Sequence, residues 1–489
     1  MAERGTHDQA QVLVVGSGAG GSTVAYELAR RGFDVVILEE GGSFDADDYG
    51  QSAPVAMRKL YRKRGMTPIL GSVPIGYVEG CCVGGSTEIN SGFWHRTPPE
   101  VLLRWRTQLG LDIADRELDE HFDWAEKELR VGLSETPWPP STQAFARGAE
   151  AMGWSAWEVP RAAPGCQNAN LCASGCPTGA KQGMSRSLLP KAKALGARVI
   201  SGARVLRLLL RKGRVEGALI RAQTADGAQR LLRIQAEHVF VCCGPTETPS
   251  LLLRSGIRYH VGNGLRVHPY LKVAARFPEA MQASRSVLPL LQVKEFWPDL
   301  SFGGAFFGSG QLAMTLSDNW PANQPQMASL PRMAQYYVGV RGTGLGWVRP
   351  TALGEDATLV RYDVSRDDLR QLSVGLARLS ELLLSAGALE LFPSVWGVGP
   401  FKRPGEAARW LEEQLPRRAV SLVTVHAFSS CPIGERQDLS AADSRGRVWG
   451  LENLYLADAS VLPDSPGVNP QGTVMALARR NAIAFADAH

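Results

Sequence analysis

The chain has 489 residues, 44% of them hydrophobic, and a formal net charge of +5. That length supports about two or three domains with a substantial core, and the charge balance excludes a disordered chain. So small a net charge, with basic runs as short as RKLYRKRG (58–65) read as a solvated surface segment, argues against a nucleic-acid partner.

The polar start MAERGTHDQA carries no apolar signal region. Apolar runs such as SLLLRSGI (250–257) fall well short of the ~18 to 20 residues that span a bilayer, so a cytoplasmic protein without an integral membrane segment is expected. Eight cysteines in that compartment point to reduced thiols or ligands rather than a disulfide framework.

The first elements are the most telling. In QVLVVGSGAGGSTVAYELARRGFDVVILEEGG, an apolar strand (12–15), a glycine turn, an alanine-rich helix and a second strand (35–38) follow one another. Gly16 allows the tight turn, Gly18 lets backbone approach a pyrophosphate, and Gly21 lets the helix pack closely on the strand. Ala19 and Gly20 lie inside the same loop, and the helix N-terminus offers its amides and dipole to phosphate. Glu39, with Glu40 beside it, ends the second strand; a carboxylate there accepts from both ribose hydroxyls and repels a 2′-phosphate, which disfavours NADP. This segment leaves FAD and NAD both open.

Further motifs follow in order. CCVGGSTEINSGFWHRTP (81–98) places Gly84 and Gly85 where backbone passes close to a ligand, with Ser86 and Asn90 as hydrogen-bonding partners. CQNANLCASGCPTGAK (166–181) holds Cys166, Cys172 and Cys176 and leads into the helix-like SRSLLPKAKALGARV. Between 203 and 236 the pattern alternates through turns at Lys212-Gly213 and Asp226-Gly227 and reads as a β-meander. A buried strand (239–243) then turns at Gly244 into a helix; adjacent on that strand, Cys242 and Cys243 read as packing residues. From 270 to 425 the pattern is irregular, with aromatic and proline punctuation suggesting an apolar pocket, until a strand and an amphipathic helix of about 20 residues between 358 and 394. There are no internal repeats and no low-complexity tract.

The order of CCVGGSTEIN, CCGPTETPSLLLRSGI, VGNGLRVHP and LENLYLADASVLPDSPGVNPQGTVMALA resembles the glucose–methanol–choline family of FAD-dependent oxidoreductases, most closely the branch of long-chain alcohol oxidases and cholesterol oxidases. The resemblance implies an α/β (α+β) fold: a Rossmann-type FAD-binding domain with a β-meander (8–99, 188–269 and 430–489), plus a substrate domain of antiparallel sheet and helices (100–187 and 270–429). Implied FAD contacts include Val205, through its backbone near the adenine, and Gly244, Asp458, Ala459, Asn469, Pro470 and Thr473. Some relatives link FAD to a histidine just before the asparagine equivalent to Asn90; here that residue is Ile89, so non-covalent FAD is expected.

The resemblance also implies that His426 is the base and Asn469 the second catalytic position. Asn469, before Pro470, also reads as a helix cap aiming the helix dipole at the flavin. His268, in the VHP junction, reads as structural. The expected reaction is oxidation of a small, apolar alcohol to a carbonyl, by hydride transfer to flavin N5, with oxygen or a redox partner as final acceptor. Alternatives stay open: lyase or photo-driven chemistry on the same fold, a non-catalytic flavoprotein module, or a dehydrogenase with a three-iron cluster on Cys166, Cys172 and Cys176. No metal is assigned; an iron–sulfur cluster generally takes four thiolates, and packing thiols in a shaped loop are the preferred reading.

Overall fold

The computed structural model describes residues 9–223, 228–351, 354 and 357–489. The first strand, Gln9–Val15, has Val12, Leu13 and Val14 without solvent exposure, as a strand covered on both faces requires. It pairs in parallel with Val35–Leu38 on one side and with the long strand Gln229–Val241 on the other. Arg198–Ile200 extends the parallel edge beyond Val35–Leu38, and Leu454–Leu456 adds in parallel to Gln229–Val241. Ala203–Arg211 and Arg214–Gln223 meander antiparallel onto the same long strand. The turn at Lys212-Gly213 lies between them, while the one expected at Asp226-Gly227 falls outside the described residues.

The helix Ala19–Arg30 packs on this sheet, and the C-terminal helix Gln471–Ala488 packs on that helix. Two glycines make the approach possible. Gly16 has φ +98°, and a Cβ there would stand 2.3 Å from the Cys242 carbonyl oxygen; one on Gly20 would stand 1.7 Å from the Ala457 carbonyl oxygen.

A second sheet, mostly antiparallel, centres on Tyr270–Arg276, which pairs with Met333–Val340, Glu390–Pro393 and Leu422–Thr424. Leu300–Gly304, Leu291–Val293 and Ala156–Glu158 continue it. Its other edge is Thr67–Ile69 and Ile75–Tyr77, so a stretch grouped by sequence with the dinucleotide domain is threaded into this sheet. The long helix occupies Arg366–Ser385, opened by a capping box in which Ser365 and Asp368 satisfy each other's backbone amides. It covers the second sheet through Leu369, Leu372, Leu376 and Leu383, all in one apolar core.

Candidate active site

A cavity of about 430 Å³ runs between the two sheets. Gly16, Gly18, Ala19, Gly20, Glu39, Glu40, Gly85, Ser86, Asn90, Val205, Gly244, Asp458, Ala459, Asn469, Pro470 and His426 all border it. Three other residues singled out from the sequence stand behind its wall. A Cβ on Gly21 would stand 2.0 Å from the Gly16 carbonyl oxygen, the Gly84 amide donates to the Ser17 hydroxyl at 3.0 Å, and the Thr473 hydroxyl pairs with that of Thr97 at 2.8 Å.

At one end of the cavity the helix Ala19–Arg30 begins without a side-chain cap, so its first amides face the cavity, and beside Gly18 the space is open. A Cβ on Gly85 would stand 3.0 Å from the Gly18 Cα, so the two glycine loops meet at the level of backbone. Glu39 is buried; its carboxylate accepts from the Ser17 amide (3.1 Å) and hydroxyl (2.6 Å) and from the Gly41 amide (2.9 Å). Burial raises its pKa against the pull of those donors.

Glu40 has a different neighbourhood. Burial opposes its charge, but Arg62 at 2.9 Å and Arg204 outweigh that and lower it to about 2. Arg62 also reaches Glu79 at 3.3 Å. The basic run 58–65 is therefore not wholly a solvated face: Arg62, with 15% of its side chain exposed, turns inward because buried carboxylates stand there to meet it.

Elsewhere, Asp458 accepts from the Gly244 amide (3.0 Å), the Thr248 hydroxyl (2.5 Å) and the Ser460 amide (2.7 Å), tying the ends of three segments together. The Ser86 hydroxyl accepts from the Gly80 amide at 2.9 Å, and the Asn90 side chain donates to Gln471 at 2.6 Å and accepts from the Gly92 amide at 3.0 Å. Cys242 and Cys243 lie just beyond the strand end at Val241 rather than on the strand, because the chain turns there toward Gly244 (φ +86°). Both border the cavity.

At the other end, His426 and Asn469 meet: Asn469 Nδ2 lies 3.2 Å from His426 Nε2. Asn469 is not a cap. The helix starts at Gln471 with Pro470 before it and no side-chain cap bond, the asparagine amide having turned to the imidazole instead. His268, expected to be merely structural, is 3% exposed, and its Nδ1 stands 3.0 Å from His426 Nδ1.

The hydrogen-bond network assigns the tautomers. Ser465 spends its proton on the Arg341 carbonyl (2.7 Å), so it must accept from His268 Nε2 (2.9 Å). His268 Nδ1 is then a bare lone pair, and His426 Nδ1 carries the proton donated to it. The Tyr270 hydroxyl stands 2.9 Å from the same Nδ1. His426 Nε2 is left unprotonated toward the cavity. Burial, with a smaller push from Lys294, lowers the His426 pKa to about 3, so the ring is neutral across the ordinary pH range.

The cysteine loop packs beside this site. Cys166 and Cys172 each lie 3.4 Å from a different nitrogen of the Arg161 guanidinium, while Cys176 turns to the Thr178 hydroxyl and the Lys181 amide. Among the described residues, no group of three or more His, Cys, Asp or Glu side chains is placed to hold a metal ion. Buried Lys181 donates to the carbonyls of Glu88 (2.6 Å), Cys172 (2.8 Å) and Asn90 (2.9 Å), clamping the loop onto the segment that follows Gly85.

Fold and site together define a dinucleotide-binding oxidoreductase whose cradle fits FAD: open amides at a helix start for the pyrophosphate, a buried acid at the end of the second strand, and an imidazole–amide pair at the far end of one continuous cavity. Family models described as GMC oxidoreductase match residues 13–270 and 349–478. The chain is also 38% identical to a GMC-type oxidoreductase of Sinorhizobium fredii, covering 97% of this chain and 94% of that one. It is 27% identical to a long-chain-alcohol oxidase of Arabidopsis thaliana, over 97% of this chain and 66% of the plant protein. In fold it is similar to pyridoxine 4-oxidase from Mesorbium loti (TM-score 0.71, 16% identity, 98% and 100% of the two chains) and to a formate oxidase of Aspergillus oryzae (TM-score 0.75, 16% identity, 99% of each). The chain belongs to the GMC oxidoreductase family and is an FAD-dependent oxidoreductase. Among its described residues, no helix is long and apolar enough to cross a membrane.

Tyr270, Lys272 and Lys294 are the neighbours that no sequence motif singles out, while His268 reads as structural and Arg62 as part of a solvated segment. A signal for part of this was present: His268, Tyr270 and Lys272 alternate with apolar residues in VHPYLKVAAR, which places them on one face of an extended segment.

Proposed function

We propose that the protein oxidises an alcohol to the corresponding carbonyl compound, with His426 as the base and Asn469 as the residue that holds the substrate oxygen. The observation carrying this reading is the unprotonated Nε2 of His426, kept toward the cavity by the chain through His268 and Ser465 to the Arg341 carbonyl and standing 3.2 Å from Asn469 Nδ2. When bound, FAD supplies the two-electron acceptor for the carbinol hydride.

The residues of this chain do the rest. Asn469 donates to the substrate hydroxyl oxygen in place of His426 Nε2 and so orients the carbinol hydrogen. His426 Nε2 accepts the hydroxyl proton; the imidazolium formed is stabilised through its Nδ1 proton by His268 Nδ1 and the Tyr270 oxygen. The start of the helix Gln471–Ala488, bordering the cavity at Pro470 and Gln471, places the positive end of its dipole where negative charge grows. The similarity to a long-chain-alcohol oxidase supports an alcohol as substrate.

In this reading the FAD is non-covalent, since Ile89 occupies the position where a linking histidine would stand. Acid precipitation is expected to release all of the flavin into the supernatant. Anaerobic mixing of the purified holoenzyme with a panel of primary and secondary alcohols tests the reaction: bleaching of the flavin band is expected. An unchanged band with every alcohol overturns the oxidation and turns attention to non-oxidative chemistry.

A further inference from the structure

The cavity has a second chemically distinct group besides the His426–Asn469 pair. Lys272 lies on the strand Tyr270–Arg276, two residues after Tyr270 and therefore on the same face, about 7 Å further along. Directly across the ladder stands Tyr337, whose hydroxyl accepts from the Gln292 side chain at 2.9 Å. All four residues border the cavity.

Lys272 has no hydrogen bond or ion pair from its ammonium to any described residue, and the part of it left accessible faces the cavity. The carboxylates on the cavity wall are already engaged at the flavin end: Glu39 by Ser17 and Gly41, Glu40 by Arg62 and Arg204, Glu79 by Arg62 and Thr246, Glu247 by Arg204 and Thr358, Asp458 by Gly244, Thr248 and Ser460. The lining of the same cavity also includes the apolar side chains of Leu288, Phe306, Met314 and Val425. An ammonium half withdrawn from water, with no anion from the described residues beside it, is stabilised by a ligand that brings one.

We propose that Lys272 binds a carboxylate of the substrate, so that the alcohol oxidised is a hydroxy acid whose hydroxyl meets His426 and Asn469 while its apolar carbon chain lies against Phe306 and Leu288. The inference rests on the alcohol-oxidation reading and refines it from an apolar alcohol to one with an anionic end. A single ammonium flanked by neutral donors balances one negative charge, which suits a carboxylate rather than a phosphate monoester dianion. Burial alone lowers the Lys272 pKa, to about 8, the direction expected of an ammonium awaiting its counterion.

The test compares 6-hydroxyhexanoate with its methyl ester, which keeps the hydroxyl and the chain but removes the charge. With the holoenzyme, kcat/KM for the acid is expected to exceed that for the ester by roughly 10- to 100-fold, the worth of a charge-assisted hydrogen bond, expressed mainly in KM. In Lys272→Met that ratio is expected to fall to about one, and in Lys272→Arg to recover in part. A ratio unchanged by Lys272→Met, with both substrates still oxidised, overturns the carboxylate site and leaves the oxidation reading intact. If neither substrate bleaches the flavin, the alcohol panel alone decides the oxidation reading. Hexanoate titrated against the flavin spectrum then decides Lys272: a difference spectrum lost in Lys272→Met supports the site, and the same response in both proteins overturns it.

Discussion

Two lysines near the active site, buried Lys181 and half-buried Lys272, have opposite surroundings. Lys181, in the cysteine loop, gives its three protons to three backbone carbonyls, while Lys272, on the cavity wall of the second sheet, gives none to any described residue. Burial lowers the pKa of both. The difference lies in who completes the hydrogen bonding: at Lys181 the fold does, so the residue holds shape, and at Lys272 a ligand must, so the residue selects what enters. The same division separates the flavin end of the cavity, where Glu40, Glu79 and Asp458 are all partnered, from the substrate end, where the groups facing the cavity are poised rather than satisfied.

The sharpest way to break this division is at the base. His426→Ala is expected to slow flavin reduction by an alcohol about 10²- to 10⁴-fold, the usual contribution of a positioned base, while the flavin content of the purified protein is unchanged. Rapid mixing under anaerobic conditions measures the first and the ratio of visible to ultraviolet absorbance the second. A variant that keeps its reduction rate removes His426 from the chemistry.

The shape-holding side fails differently. Lys181→Met leaves the carbonyls of Glu88, Asn90 and Cys172 without their donor, and a loss of about 3 kcal/mol is expected, with a lower thermal midpoint and reduced flavin loading. Lys272→Met removes an unpaired, half-buried charge and is expected to leave stability unchanged or raise it by up to about 1 kcal/mol, with the midpoint held or raised. Thermal unfolding of the two variants beside the parent protein checks the contrast, and a midpoint lost equally in both would abolish it.

Much of the flavin end was legible from sequence because its requirements are local. A strand, three spaced glycines and a strand-end acid must follow one another within about 30 residues for a helix to present its amides, so the pattern is written contiguously. The substrate end is assembled from segments near 270, 337, 426 and 465, brought together by the pairing of Tyr270–Arg276 with Met333–Val340 and Leu422–Thr424. No local spacing encodes that convergence, which is why His268 reads as structural from sequence. The inward turn of Arg62 was hidden for the same reason: its partners Glu40 and Glu79 lie 22 and 17 residues before and after it, and only the fold makes a basic surface run into a buried link. Asn469 failed as a cap because local logic does not know that an imidazole stands within reach.

The smallest expected effect concerns how His268 packs against His426 and fixes its tautomer, and it separates activity from stability. In the native protein burial lowers His426 to about 3, against ~6.5 for an exposed imidazole, so Nε2 remains a competent acceptor far into acid. With an uncharged alcohol the kcat/KM profile is therefore expected to show no acid limb near pH 6.5 and to stay flat from about pH 8 to 5. Stability runs the other way. Between about 6.5 and 3 the unfolded chain takes up a proton at His426 that the native state refuses, so unfolding becomes easier as pH falls, by about 1.4 kcal/mol per pH unit for each such group, and His95, lowered to about 3 by burial, adds a second. His268→Ala opens space beside His426 and admits water, which raises the folded pKa toward 6.5. Its acid limb is expected to move into the measurable range, with a loss of about tenfold in kcat from the disordered tautomer, while the acid-side loss of stability becomes shallower. A His268→Ala enzyme whose pH profile superimposes on that of the parent would show that Tyr270 alone sets the tautomer, and would return His268 to the shape-holding side of the division.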